Sequence, residues 1–127
     1  MPPKRRAAKK ATPLAFGDVL GLVRHLPGVE ESTSYGTLSI KVKGKFMARL
    51  KEDGETLAMR TTFIDRDMLM RVSPETYFIT DHYRDYPAVL VRLASADRAQ
   101  LAELLEDEWR RLAPKKTVKQ YDEGHGR

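Results

Sequence analysis

The chain has no cysteine among its 127 residues. This absence excludes a disulfide framework, a thiolate zinc site and a cysteine nucleophile. No run of apolar residues approaches the roughly 20 that are needed to cross a bilayer, so we expect no membrane span. The basic start, MPPKRRAAKKATP, is not followed by the apolar segment of a secretory signal. We therefore expect a cytoplasmic protein, and the length suits one domain rather than two.

Motifs that support catalysis are also missing. There is no serine in a Gly-x-Ser-x-Gly setting, no glycine-rich phosphate loop and no carboxylate pair at a catalytic spacing. The three histidines, His25, His82 and His125, are scattered and match no metal-ligand pattern. We expect a protein without enzymatic activity, without a cofactor and without a bound metal.

The net charge of +5 comes from the start of the chain. Residues 1–13 contain no acid, and the other eighteen basic side chains balance the eighteen acidic ones. We expect residues 1–13 to form a disordered arm that binds polyanions by releasing their counterions. The alternative is a solubilising tail without a specific partner. The basic residues of this arm are Lys4, Arg5, Arg6, Lys9 and Lys10.

Apolar periodicity predicts the α+β class, with the element order α-β-β-β-α-β-β-α. The first helix begins at Thr12-Pro13, carries Phe16, Val19, Leu20 and Val23 on one face, and ends at Pro27-Gly28. Further helices are expected over residues 65–72, with Met68, Leu69 and Val72 inward, and from Ser95 to Pro114. The folded domain would span residues 14–113, and residues 114–127 would form a flexible tail.

Alternation of apolar and polar residues predicts a three-stranded meander over residues 37–60. A three-residue loop, 43–45, would pair Val42 with Phe46 and keep both on the apolar face. Asp53-Gly54 is predicted to form a two-residue turn that pairs Leu50 with Leu57. Two further strands are expected over residues 77–80 and 88–93.

Three segments resemble the MmcQ/YjbR family: LPGVEESTSYG at 26–36, VKGKFMARL at 42–50 and PETYFITDHYRDYPAVLVRL at 74–93. They occur in the expected order, and the resemblance covers residues 16–113. It implies an antiparallel sheet packed by helices, described as a double-wing DNA-binding arrangement, and a bacterial source. The basic arm lies outside the core pattern of that family.

The outward face of the meander is the first candidate site. It would present basic side chains to nucleic-acid phosphates, which position a protein without reading sequence. The alternative is an ordinary solvated sheet face, where lysine and arginine are common. The residues are Lys41, Lys43, Lys45, Arg49, Lys51 and Arg60.

The loop at 81–87 is the second candidate site. His82, Tyr83, Arg84 and Tyr86 are expected either to contact bases or a ligand, or simply to pack beside a strand. The main hypothesis is a non-enzymatic protein that binds nucleic acid, expected to be DNA, without sequence preference. The alternative is a protein-binding or small-ligand module that uses the sheet face or this loop.

Overall fold

The structure, a computed structural model, describes residues 13–125. It confirms the α+β class: six antiparallel strands in the order β1-β2-β3-β4-β6-β5 pack with helices. No helix in this part of the chain is both long and apolar enough to span a bilayer. The helices are α1 (Phe16–Val23), α2 (Phe63–Val72), α3 (Arg98–Leu112) and α4 (Lys115–Gly124), and the strands are β1 (Val29–Ser34), β2 (Thr37–Val42), β3 (Lys45–Leu50), β4 (Thr56–Arg60), β5 (Tyr77–Phe78) and β6 (Ala88–Arg92).

Helices α1 and α3 pack against each other, and their apolar residues form one core with the strands. The apolar face predicted for α1 is buried, but the helix begins at Phe16 rather than at Thr12-Pro13. The Ala15 N–H donates to the Asp18 carboxylate at 2.9 Å, which satisfies an otherwise orphaned donor at the new start. The helix also ends at Val23, before Pro27.

Helix α3 carries the largest buried side chain, Trp109. Asp97, rather than Ser95, caps this helix and accepts from the Gln100 N–H. The Trp109 Nε1–H donates to the Pro27 carbonyl at 2.8 Å, so the α1–β1 connection is fixed to α3. Burial raises the pKa of Tyr77 to about 12, which keeps its hydroxyl protonated.

Strand β1 was not predicted from the sequence. Its sequence, VEESTS, has one apolar residue and no alternation, and it forms an edge of the sheet. An edge strand with little to bury does not need the period-two pattern on which the strand predictions rested. Strand β1 joins β2 through a two-residue turn at Tyr35-Gly36, where both φ angles are positive.

The predicted three-residue loop between β2 and β3 is wrong. Lys43 and Gly44 both have positive φ and form a two-residue turn, which pairs Val42 with Lys45 and Lys41 with Phe46. An irregularity between Ile40 and Lys41 then shifts the register, so Ile40 still pairs with Ala48. Such a bulge restores the inward face that a two-residue turn alone would reverse.

The predicted register between β3 and β4 is confirmed. Leu50 pairs with Leu57, as the Asp53-Gly54 turn required. The Asp53 carboxylate accepts from the Glu55 and Thr56 N–H groups and from the Thr56 hydroxyl. These hydrogen bonds explain why the pKa of Asp53 lies below its usual value, with the Glu55 N–H as the main cause.

The prediction of a loose tail after residue 113 is wrong, because α4 packs onto the body. Tyr121 lies edge-on to Trp109, with ring centroids 5.1 Å apart. Arg110 donates to both carboxylate oxygens of Asp122, at 2.8 and 2.9 Å. The short helix is therefore stabilised by tertiary contacts rather than by an apolar repeat of its own.

Helix α2 also departs from its predicted face. Leu69 is buried as expected, but Met68 and Val72 are 45% and 68% exposed. Arg66 takes the inward position instead, and it is 7% exposed. The apolar pattern predicted that the methionine and the valine face inward. An arginine can take an inward position only if it has hydrogen-bond partners there, and the local sequence does not show such partners.

Candidate functional site

Strands β1–β4 and the loop before β6 line a groove with a volume of about 860 Å³, here called the sheet groove. This volume lies within the range of ordinary ligand sites. Both sequence-predicted candidate sites contribute to it, so they form one surface rather than two. The lining residues are Thr33, Ser34, Tyr35, Lys41, Gly44, Phe46, Arg49, Lys51, Ala58, Arg60, His82, Tyr83, Tyr86, Pro87 and Ala88.

Two of the lining cations are available to an anionic ligand. The Lys41 ammonium has no hydrogen-bond or ion-pair partner among residues 13–125 and is partly exposed. The Lys51 ammonium donates to the Tyr83 hydroxyl at 3.1 Å and lies 4.0 Å from the Glu52 carboxylate. The tyrosine hydroxyl does not neutralise the Lys51 charge, and the exposed Glu52 carboxylate, which also pairs with Arg49, neutralises it only in part.

The two lining arginines are engaged by protein groups. Arg49 is buried and donates to the Thr37 hydroxyl at 2.9 Å and to Glu52 at 3.3 Å. The pKa of Glu52 is lowered by a hydrogen bond within its own residue and, further, by Arg49. Arg60 donates from Nε to the buried carboxylate of Glu108 at 3.2 Å. Both arginines therefore contribute less net charge than the sequence alone suggested.

Two predicted members of the basic face do not line the groove. The Lys43 side chain lies over Gly28, and the Lys45 ammonium donates to the Leu112 carbonyl at the end of α3. The register of the β2–β3 turn explains this, because it exchanges the predicted faces of Lys45 and Phe46. Phe46 consequently lines the groove, where strand parity had predicted a lysine.

Arg66 fixes the loop at 81–87 beside the sheet. Its guanidinium donates to the carbonyls of Tyr83, Tyr86 and Arg84, at 3.1, 2.9 and 3.3 Å. Its Nε finds no hydrogen-bond partner within the described part of the chain and lies 3.7 Å from the Asp67 carboxylate, which is too long for a hydrogen bond. One buried side chain thus orders the segment that carries the groove aromatics.

Three aromatic side chains of the loop lie together. The ring of His82 is 5.0 Å from that of Tyr83, edge-on, and 5.8 Å from that of Tyr86. Tyr86 is 55% exposed, and Tyr83 contacts Lys51 across the groove. Arg84 does not line the groove; its exposed side chain pairs with Asp81 at 2.7 Å.

Tyr35 lines the groove but was not predicted as a site residue. It stands at the β1–β2 turn and is 86% exposed, and the Arg49 guanidinium lies 5.1 Å from the centroid of its ring. The available signal was the Tyr35-Gly36 dipeptide, which could have been recognised as a two-residue turn only once β1 was assigned. Thr33 and Ser34 were missed for the same reason.

The basic residues of the arm, Lys4, Arg5, Arg6, Lys9 and Lys10, lie outside the described residues. Within residues 13–125, no group of three His, Asp or Glu side chains is arranged to hold a metal ion. Ammonium groups, aromatic rings and hydroxyls line one concavity that has no carboxylate among its described lining residues, although Glu52 beside it pairs with Arg49 and Lys51. Such a surface favours ligands that carry both negative charge and flat rings.

The fold and the site define this protein as an α+β domain with a groove on its antiparallel sheet. The chain matches the YjbR family over residues 24–111. It therefore belongs to the YjbR family, and the resemblance found from sequence segments is confirmed.

Related proteins extend the comparison. A crystal structure of the Deinococcus radiodurans protein DR2400, which contains a DUF419 domain, superposes with a TM-score of 0.61 and 23% identity. The match covers 74% of this chain and 75% of that one, and it shows a shared fold. Uncharacterized proteins of Mycobacterium bovis and Mycobacterium tuberculosis are 43% identical over 53 residues. That match covers 42% of this chain and 41% of each relative.

Proposed function

We propose that this protein binds nucleic acid without sequence preference and without catalysis, through the sheet groove and the basic arm. The observation that carries the proposal is the composition of the groove. Its lining combines lysine and arginine side chains with the rings of tyrosine, phenylalanine and histidine, and it includes no carboxylate. Lysine contacts to phosphates give affinity without reading base edges.

Lys41 and Lys51 supply the electrostatic part of this binding in the folded body. Arg49 and Arg60 are already paired with Glu52 and Glu108, so they shape the groove more than they attract a polyanion. The arm adds five further charges that have no acidic neighbour within residues 1–13. Such charges bind phosphates by counterion release and do not require a fixed conformation.

The test is fluorescence anisotropy of labelled nucleic acid across a salt series. Replacing both Lys41 and Lys51 with glutamine is expected to flatten the slope of log K against log salt by roughly 0.7–0.9 for each phosphate that is no longer neutralised. Lys43→Gln is the control, because it removes one charge from the same hairpin outside the groove, and its effect is compared with that of the double variant per charge removed. A full-length variant with all five arm cations changed to glutamine measures the arm separately.

Each outcome has a defined meaning. Flattening by the groove variant and by the arm variant, but not by Lys43→Gln, supports a shared phosphate-binding surface. Flattening by the arm variant alone removes the groove from the proposal. If the full chain binds no nucleic acid even at low salt, the proposed function is wrong.

A small-ligand site is the second candidate function, because a recessed volume of about 860 Å³ suits a small molecule. The same cations and rings would then select an aromatic anion. This candidate would be favoured if a mononucleotide saturates the site and if the slope of log K against log salt is smaller than that expected for one phosphate contact.

A further inference from the structure

Tyr35 occupies a costly position for an aromatic residue. Its φ is +55°, in the left-handed region where the hairpin turn normally favours glycine, asparagine or aspartate. The residue is 86% exposed, so burial does not compensate for the backbone strain. An exposed ring at a strained position beside a groove is better explained by contact with a ligand than by folding stability.

An exposed ring, Tyr86, and a half-buried one, Tyr83, stand on the other side of the groove. Tyr86 is 55% exposed and Tyr83 contacts Lys51, while both backbones are fixed by Arg66. The groove thus has aromatic side chains on two different loops. Bases of a duplex are already stacked on one another, so rings of this kind can stack only on bases that are unpaired.

The spacing of the two available cations favours a strand over a single nucleotide. Lys41 pairs with Phe46 at the start of β3, and Lys51 directly follows the end of β3. Five residues of β3, which include the register irregularity opposite Ile40/Lys41, separate these two levels, so the distance is at most roughly 17 Å. This distance suits two separate phosphates, several nucleotides apart along one strand, better than one phosphate that both lysines would share.

We infer that the sheet groove binds an unpaired nucleic-acid strand, with bases stacked on Tyr35, Tyr83 and Tyr86 and phosphates paired with Lys41 and Lys51. This inference rests on the proposed function and narrows its ligand. It assigns affinity to base stacking in addition to charge. A strand without bases, or with its bases paired, should therefore bind more weakly than an unpaired one.

The experiment compares four labelled or competing probes against the full chain: an oligodeoxythymidine strand, its duplex with oligodeoxyadenosine, an abasic strand of the same length and thymidine monophosphate. The unpaired strand is expected to bind most tightly. Removing one ring by Tyr35→Asn or Tyr86→Leu should weaken strand binding roughly fivefold to a hundredfold, and it should leave binding of the abasic strand unchanged.

Matched variants separate stacking from folding. Tyr86→Phe keeps the ring and should retain strand binding. Phe78→Leu removes an aromatic ring from β5, outside the groove, and should have no effect. Asparagine tolerates the left-handed conformation at position 35, so a loss of affinity in Tyr35→Asn cannot be attributed to a damaged turn.

Equal affinity for strand, duplex and abasic strand, with no loss in the tyrosine variants, would overturn the inference and leave phosphate binding intact. Thymidine monophosphate binding as tightly as the strand would also overturn it, in favour of a nucleotide pocket. Absence of binding by all probes would refute both this inference and the proposed function.

Discussion

Arg66 should stabilise the fold and the groove together, and Arg66→Met tests this directly. Methionine approximates the volume of the aliphatic part of arginine but donates no hydrogen bond. The substitution therefore removes the three hydrogen bonds to the carbonyls of Tyr83, Arg84 and Tyr86. It also removes the guanidinium that lies 4.8 Å from the ring centroid of Phe63.

The expected decrease in stability follows from these hydrogen bonds. Hydrogen bonds from a charged donor contribute about 1.5–3 kcal/mol each, so three of them set an upper limit of roughly 4.5–9 kcal/mol. The loop is partly exposed, and its carbonyls can regain hydrogen bonds from water in the variant. We therefore expect the free energy of unfolding to fall by about 2–4 kcal/mol.

Urea unfolding followed by circular dichroism measures this decrease. With a slope of about 2 kcal/mol per M, the midpoint should move down by roughly 1–2 M. Arg84→Met is the matched control, because Arg84 is exposed and its side chain, among residues 13–125, pairs only with the exposed Asp81. An exposed pair contributes little, so this variant should change stability by less than about 0.5 kcal/mol.

Arg66→Lys adds a second comparison, because a single ammonium cannot match the planar fork that reaches three carbonyls. It should recover only part of the stability that Arg66→Met removes. Amide exchange within 81–87 should accelerate in Arg66→Met, since this segment loses its anchor to α2. A midpoint equal to that of Arg84→Met, with unchanged exchange in the loop, would refute the reasoning.

Three further predictions concern the turns and α4. Asp53→Ala should lower stability by about 1 kcal/mol near neutral pH, because the Glu55 and Thr56 N–H groups lose their acceptor. Folding lowers the pKa of Asp53 below its usual value of 3.8, so its contribution to stability is present in full at pH values above 3.8. This contribution is lost as the pH falls through the folded-state pKa, and the Asp53→Ala variant should lack this part of the acid-unfolding profile. Tyr35→Asn should raise stability by about 0.5–1 kcal/mol in thermal unfolding, because relief of backbone strain exceeds the contribution of the Arg49 cation–π interaction. Tyr121→Ala should cost about 1–2 kcal/mol in urea unfolding, whereas an unchanged midpoint would mean that α4 does not stabilise the body.

Local signals predicted the elements that bury apolar residues. The register of Leu50 with Leu57 follows from one turn and from period-two alternation, and both are visible in the chain. Strand β1 buries little, and α4 depends on Tyr121 reaching Trp109, so neither has a strong local pattern. The bulge at Ile40/Lys41 is a compromise between turn geometry and core packing, and no single residue signals it.

The candidate site was predictable in its parts but not in its assembly. Lys41 and Lys51 were predicted from residue type and strand parity, and Tyr83 and Tyr86 from the aromatic composition of the loop at 81–87. Their convergence depends on Arg66, which crosses 17 to 20 positions in sequence to reach the loop carbonyls. An arginine in an apolar helix face gives no local sign of such partners, so the two candidate surfaces could not be joined from sequence alone.

Glu108 limits the positive charge of the groove, and this leads to a final prediction. It is 2% exposed and accepts from Arg60 at 3.2 Å and from Arg111 at 2.8 Å. Arg60 also lines the groove, so Glu108 neutralises a cation that a polyanion would otherwise meet. Glu108→Gln should therefore change stability and nucleic-acid affinity in opposite directions.

The expected magnitudes differ as well as the signs. Loss of a buried charge between two half-exposed arginines should lower stability by about 1–2 kcal/mol, below the range for fully buried pairs. Release of one unit of positive charge near the surface should tighten strand binding about twofold to fivefold at low salt, and the gain should vanish at high salt because the released charge is screened. Glu103→Gln is the matched control, since it makes the same charge change at an exposed position on α3. If Glu108→Gln binds no more tightly than Glu103→Gln, Arg60 does not contact the ligand, and the groove's attraction for anions is confined to Lys41 and Lys51.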